Sequence, residues 1–276
     1  MVAMRSVGLV FVLAGCNQLY GLEPTVVLGA DARIDAPGCA DSPFINPMKV
    51  AGTALDIGYD PTLSAGGHEL WFSQDMGSSS YDLMIATRAD VNGGFDTATA
   101  FAHNSSMQDG DPALSGDGLV LVFISERVAG ITIYQSTRPS LGAAFSPPGP
   151  AGGAASSQGG AGIDLSFDGL TLYFIGDAYE LRSVHRATRS DAFGAESPVL
   201  ATDVAWPSLS PDELELYYMK SAGAGIYRRT RASPTLPFDA NELQISSGGG
   251  DPDVSSDARQ LFFDSGDIFV MTRTCN

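Results

Sequence analysis

Five short apolar runs of similar character recur along the chain: Leu70-Trp71-Phe72, residues 119–124, residues 170–175, residues 214–219 and Leu261-Phe262-Phe263. Both alternating positions of these runs are largely apolar, as in a β-strand whose sheet is covered on both faces. A turn precedes each run, Asp117-Gly118 and Asp168-Gly169 in the clearest copies, Gly66-Gly67, Asp212-Glu213 and Asp257-Ala258 in the others. Asp caps the backbone of such a turn and Gly accepts its positive φ. Two residues before each turn stands a serine, at 64, 115, 166, 210 and 255.

The pattern extends to both sides of the serine. Upstream lie Tyr59-Asp60-Pro61-Thr62-Leu63, Asp111-Pro112-Ala113-Leu114, Ile163-Asp164-Leu165, Trp206-Pro207-Ser208-Leu209 and Asp251-Pro252-Asp253-Val254. Downstream, a third predicted strand ends in Thr-Arg, with arginines at 88, 138, 189, 231 and 273, and a looser segment such as Gly94-Phe95-Asp96 or Pro237-Phe238-Asp239 follows. Four short strands per period is the signature of a propeller blade, and blades in tandem bury one another's apolar faces. The motif resembles the TolB-type propeller repeat over residues 44–273. That resemblance implies an all-β, five-bladed β-propeller of four-stranded antiparallel blades. TolB itself carries six blades, so its partners do not transfer with the fold.

A ring of blades needs a clasp. Only Thr274-Cys275-Asn276 follows the last Thr-Arg, which leaves the fifth blade without an outer strand, and residues 44–55 resemble the missing one. They are predicted to pair with residues 267–272, closing the ring. The same pairing brings Cys39 close to Cys275, and a disulfide between them is expected, worth about 4–5 kcal/mol in the chain-entropy picture.

Composition narrows the setting. With 44% apolar and 17% charged residues, 32 Gly and 16 Pro in 276 residues, the chain suits short strands and many turns. A net charge of −17 with no basic stripe argues against nucleic acid as a partner. Arg5, the apolar run 7–14 and Leu13-Ala14-Gly15-Cys16 resemble a lipoprotein export signal, too short to span a bilayer. The expected organisation is a signal peptide at 1–15, lipidation of Cys16, a flexible tether at 16–43 and the propeller at 44–276. Asn17 in place of Asp favours the outer membrane, with a monomer touching the membrane through its lipid alone.

Candidate chemistry concentrates where the inner strands begin. Asp60, Asp111, Asp164, Trp206 and Asp251 are predicted to ring the mouth of the central channel, where acids bind a cation, a cationic peptide or a sugar, or merely fix turns. The recurrent Ser, Asp-Gly and Thr-Arg positions read as packing devices, the turn aspartates pairing with the arginines. Gly159-Gly160-Ala161-Gly162-Ile163-Asp164 matches a calcium-binding nonapeptide in one copy only, and His68, His103 and His185 lack ligand spacing, so neither metal nor cofactor is expected. No Gly-x-Ser-x-Gly or Ser-x-x-Lys occurs. The function expected is that of a non-enzymatic cell-envelope lipoprotein binding a protein or polysaccharide. The alternative is a carbohydrate-active hydrolase or lyase using carboxylates at the channel mouth.

Overall fold

The structure is a computed structural model describing residues 42–52, 58–77, 80–128, 130–153, 162–201, 203–220 and 223–274. The expected signal segment, Cys16, Cys39, Cys275 and nearly all of the expected tether lie outside the described residues. Every regular element described is a β-strand, and the strands form five four-stranded antiparallel sheets.

Blade 1 comprises β2 (Gly58–Leu63), β3 (Glu69–Asp75), β4 (Tyr81–Thr87) and β5 (Thr99–Ala100). Blade 2 holds β6 (Asp109–Leu114), β7 (Val120–Ser125), β8 (Thr132–Thr137) and β9 (Gly149–Pro150). Blade 3 holds β10 (Ile163–Leu165), β11 (Thr171–Ile175), β12 (Leu181–His185) and β13 (Glu196–Leu200). In blade 4 come β14 (Ala205–Leu209), β15 (Glu215–Lys220), β16 (Gly223–Thr230) and β17 (Leu243–Ser246). Blade 5 contributes only β18 (Gly250–Val254), β19 (Gln260–Asp264) and β20 (Ile268–Thr272), and its fourth strand is β1 (Ile45–Lys49), from the beginning of the chain.

The clasp pairs with the strand expected, Ile45 standing opposite Thr272 and Lys49 opposite Phe269. All five residues of β1 are exposed, so its anchorage comes from its flanks. Phe44 is buried against Tyr217 of blade 4, the Val50 amide donates to Ile268 O, and Ala51 O accepts from the Phe95 amide of blade 1. One short segment thus ties the last blade to the first.

Burial explains the doubly apolar second strands. All of β7 is buried, because each blade is packed between two others. The core divides into five clusters, one for each junction between neighbouring blades. Trp71, Phe101, Phe123 and Phe145 fill the junction of blades 1 and 2, with ring centroids 5.4–6.2 Å apart at steep angles, an arrangement that suits aromatic quadrupoles.

The repeated polar residues bind the turns, and their pairing differs from expectation. In each blade the serine Oγ accepts the amide five residues on, as from Val120 to Ser115 at 3.0 Å. In blades 2 to 5 the same Oγ donates to the turn aspartate. Apart from Arg189, which pairs with Asp117, the arginines do not seek those aspartates. Each Nε donates to the carbonyl of the positive-φ turn residue, Gly67, Gly118, Gly169, Glu213 or Ala258, at 2.5–3.1 Å. Each guanidinium also stacks at 4.4–4.6 Å over a phenylalanine. In blades 1 to 4 that phenylalanine follows seven residues later, at 95, 145, 193 and 238; in blade 5 it is Phe44. The arginine in blade 3 is therefore Arg186, not Arg189 as the Thr-Arg pattern suggested. β12 has ended by Arg189, which pairs instead with Asp117 of blade 2.

Candidate channel-mouth site

Each inner strand begins with a kink that aims one residue at the channel. Asp60, Asp111, Trp206 and Asp251 have φ of 45–50°, and Gly162 has φ 98°. In the blades with a following proline the ladder shifts register across this position, between Tyr59 and Thr62 in blade 1 and at the equivalent places in blades 2, 4 and 5. A left-handed conformation costs a non-glycine residue about 1–3 kcal/mol, and a bulge of this kind re-aims side chains.

The structure brings together Asp60, Asp111, Trp206 and Asp251, and sets Asp164 apart. Counting back from the serine, the residue of blade 3 equivalent to Asp60 is Gly162, while Asp164 aligns with Thr62, Ala113, Ser208 and Asp253. A Cβ on Gly162 would sit 2.5 Å from the Trp206 Cα, so neighbouring backbone excludes a side chain there. Asp164 lines the channel one step deeper. Its Oδ2 accepts the Leu209 amide of blade 4 at 2.7 Å and its Oδ1 the Leu165 amide at 2.8 Å. Ser208 Oγ likewise accepts the Val254 amide of blade 5, and Asp253 Oδ2 the Leu63 amide of blade 1 at 2.9 Å. This deeper ring latches blade to blade.

One carboxylate escaped the sequence reading. Asp264, at the end of β19, shares a hydrogen bond with Asp251, and the charge of Asp60 acts on it, so the acids form an arc of Asp251, Asp264, Asp60 and Asp111. It occupies the place of Ser73 in blade 1, whose Oγ accepts the Asp111 amide of blade 2. Counting nine residues on from each motif serine reveals it, since the positions are Ser73, Ile124, Ile175, Met219 and Asp264, one acid among them.

The electrostatics follow from crowding in a buried arc. Burial, then the charge of Asp60 and a hydrogen bond with it, push the Asp111 carboxyl well above the usual range, against the Gly162 amide, which favours the carboxylate. Asp251 is raised well above its ordinary value by burial, then by Asp60, Asp264 and Asp111. Asp264 rises chiefly through burial. In the deeper ring, burial also raises Asp164 well above normal and pushes Asp253 up to about 7, outweighing the donors that favour its ionised form.

Above the arc opens a cavity of about 370 Å³. Tyr59, Tyr81 and Trp206 form aromatic walls, Ile124 and Ile131 an apolar one, and Asp60, Asp111 and Asp251 contribute the acid. Tyr59 and Tyr81 meet edge to face at 5.8 Å. Below, the prolines and the latch ring narrow the channel to a void of about 30 Å³, room for about one water. The mouth is therefore a cup with a constricted floor. Among the described residues, no group of His, Cys, Asp and Glu has metal-binding geometry.

No protein-family model matches the chain, and no curated protein sequence matches it. Solved structures do. The chain is similar to TolB from Acinetobacter baumannii with a TM-score of 0.52 at 12% identity, over 79% of this chain and 55% of that one, so it spans little more than half of TolB's length. It is similar to the catalytic domain of the Coprinopsis cinerea GH62 alpha-L-arabinofuranosidase with a TM-score of 0.59 at 11% identity, over 87% and 98%. A gluconolactonase from Xanthomonas campestris gives 0.51 at 11% identity, over 88% and 93%. At such identities the likeness concerns fold alone, and the fold is that of a β-propeller, with TolB among its structural neighbours.

Proposed function

We propose that this chain is a non-enzymatic binding module of the bacterial cell envelope, held by lipid on Cys16, that receives an envelope protein or polysaccharide at the channel mouth. The observation that carries this reading is the cup of about 370 Å³ in which aromatic walls stand over a floor of hydrogen-bonding acids. A sugar ring stacks on such walls while its hydroxyls meet carboxyl groups that are donors when protonated and acceptors when not. A basic side chain finds the same walls and floor complementary. Phe44 enters the ring beside the Ala258 turn, on the face opposite the cup.

A second reading, a carbohydrate-active hydrolase or lyase, draws on Asp111 as a buried carboxyl whose pKa is raised by burial and by Asp60. The pairing of the acids favours binding instead. Asp60 with Asp111, and Asp251 with Asp264, are in hydrogen-bond contact, whereas paired glycosidase carboxyls stand about 5 Å or more apart to admit the reacting carbon or a water.

Capture from detergent-solubilised envelope and a polysaccharide-binding array, each with the full chain, test the proposal. The wild type is expected to retain one protein or glycan, and Trp206→Ala and Asp111→Asn to reduce retention at least tenfold while the fold persists. Release of reducing ends from a polysaccharide, abolished by Asp111→Asn in a folded protein, would replace the binding reading with the enzymatic one.

A further inference from the structure

The arginines at the ends of the third strands have a second task besides holding their own turns. At two junctions the guanidinium reaches back to a carboxylate on the preceding blade. Arg138 of blade 2 meets both oxygens of Glu69 in blade 1, at 2.9 and 2.7 Å. Arg273 of blade 5 meets Glu215 of blade 4 with Nη2 at 2.6 Å. Both glutamates stand five residues after the motif serine. At the seam where blade 5 meets blade 1, that position is Gln260, and the arginine facing it is Arg88.

Arg88 is otherwise placed like its counterparts. Nε donates to Gly67 O at 2.6 Å, the ring of Phe95 lies 4.4 Å from the guanidinium carbon, and Nη1 makes only a long contact of 3.4 Å with Gly93 O. A carboxylate stands at those two of the five junctions, and at two more Arg186 and Arg231 meet Gln135 and Tyr173 of the preceding blade, whereas this seam has a cavity of about 460 Å³, lined by Arg88, Gln260, Arg259, Asn92 and Asp257 among others. Arg259 is an exposed second cation on the same cavity, four positions beyond Ser255. Asp257 lines the cavity and Asp90 lies beside Arg88, and one oxygen of each is already engaged: Asp257 Oδ1 by Ser255 Oγ and the Arg259 amide, Asp90 Oδ1 by the Asn92 amide.

We infer that the seam between the first and last blades is an anion site, in which Arg88 takes an external carboxylate in the manner that Arg138 takes Glu69, and Arg259 takes a second one. The ligand class is a small dicarboxylate. A planar guanidinium matches a carboxylate bidentately, a cavity of this size accommodates a small organic acid, and the side-chain amides of Gln260 and Asn92 add neutral donors. The site lies on the face opposite the cup, so it is independent of the channel-mouth proposal.

Calorimetric titration of the full chain with succinate and with acetate at low ionic strength tests it. Succinate is expected to bind with a millimolar constant, at least fivefold tighter than acetate. Arg259→Gln, at an exposed position, should remove that preference. Gln260→Glu should fill the seam from within, weakening succinate at least tenfold and raising Tm by about 2–4 °C. Asp111→Asn should leave succinate unaffected. Absence of succinate binding by a folded wild type, or equal binding by the wild type and Arg259→Gln, overturns the site whether or not Gln260→Glu folds.

Discussion

A left-handed residue placed directly before a proline is an uncommon arrangement, since proline confines its predecessor mainly to extended conformations. This chain adopts it at Asp60, Asp111, Trp206 and Asp251. The consequence is a side chain delivered to the channel axis from the first residues of each inner strand, where a regular strand would point it into a blade junction. Blade 3 departs because it lacks the proline and has no room. Gly162→Ala would set a Cβ within 2.5 Å of the Trp206 backbone at φ 98°. That substitution is expected to destabilise the protein by on the order of 2–4 kcal/mol in urea unfolding; a loss under about 0.5 kcal/mol would show that this close approach does not constrain the mouth. Asp164, two positions further on, has both oxygens engaged by backbone amides and acts as a latch. A ligand-binding role and a latching role are indistinguishable in a one-letter code. They separate only when the alignment is counted from the serine.

At the level of the strand, β1 shows how little of an element needs to be buried for it to hold a ring closed. Its own residues are exposed, and the hold comes from Phe44 beneath the Arg273 guanidinium and from Val50 at the other end. Phe44→Ala is expected to cost about 3–5 kcal/mol, the range for removing a buried aromatic ring. It should also change where the protein opens. Amide exchange is expected to quicken at Val50, which donates to Ile268, and through β18 to β20, while the buried second strands of blades 2 and 3 keep their protection. Uniform loss of protection across all blades would mean that the clasp is not a separate unit. The stacked arginine and phenylalanine are legible in sequence as a pair seven apart in four blades. The fifth pair joins residues from opposite ends of the chain, and no local window contains it.

For the whole molecule, the buried acids make stability depend on pH in a definite sense. A carboxyl whose pKa is higher in the folded than in the unfolded chain stabilises the fold while it is protonated. For Asp253 that contribution is complete below about pH 4, the unfolded value, and is lost as pH rises through its folded value of about 7. Asp111, Asp164 and Asp251 are raised in the same direction. Asp253→Asn keeps the shape and an acceptor for the Leu63 amide but removes the ionisation. Relative to the wild type, the variant should gain on the order of 3–4 kcal/mol in stability between pH 4 and pH 8, read from urea midpoints across that range. Parallel curves for the two proteins would show that Asp253 titrates normally in the folded state. Asp117, held below its ordinary range by Ser115, Arg189 and the Leu119 amide despite burial, works in the opposite sense at low pH.

By itself, the sequence determined the number of blades, the strand order within them and the clasp, because each follows from short-range patterns repeated at a constant period: doubly apolar strands, a serine-capped turn and a terminal arginine. It also placed Asp60, Asp111, Trp206 and Asp251 at one mouth, because equivalent positions in a ring must converge. Only the tertiary structure decided that Asp264 joins the arc, that Asp164 is a latch, that Arg186 replaces Arg189, and that the seam lacks the carboxylate its neighbours possess. Asp264 meets Asp251 and Arg186 meets Phe193 within a single blade, where strand pairing sets which residues stand together; the latch and the seam are relations between residues on different blades. They depend on the radial packing that brings distant segments within hydrogen-bond reach, and no separation along the chain encodes such a distance.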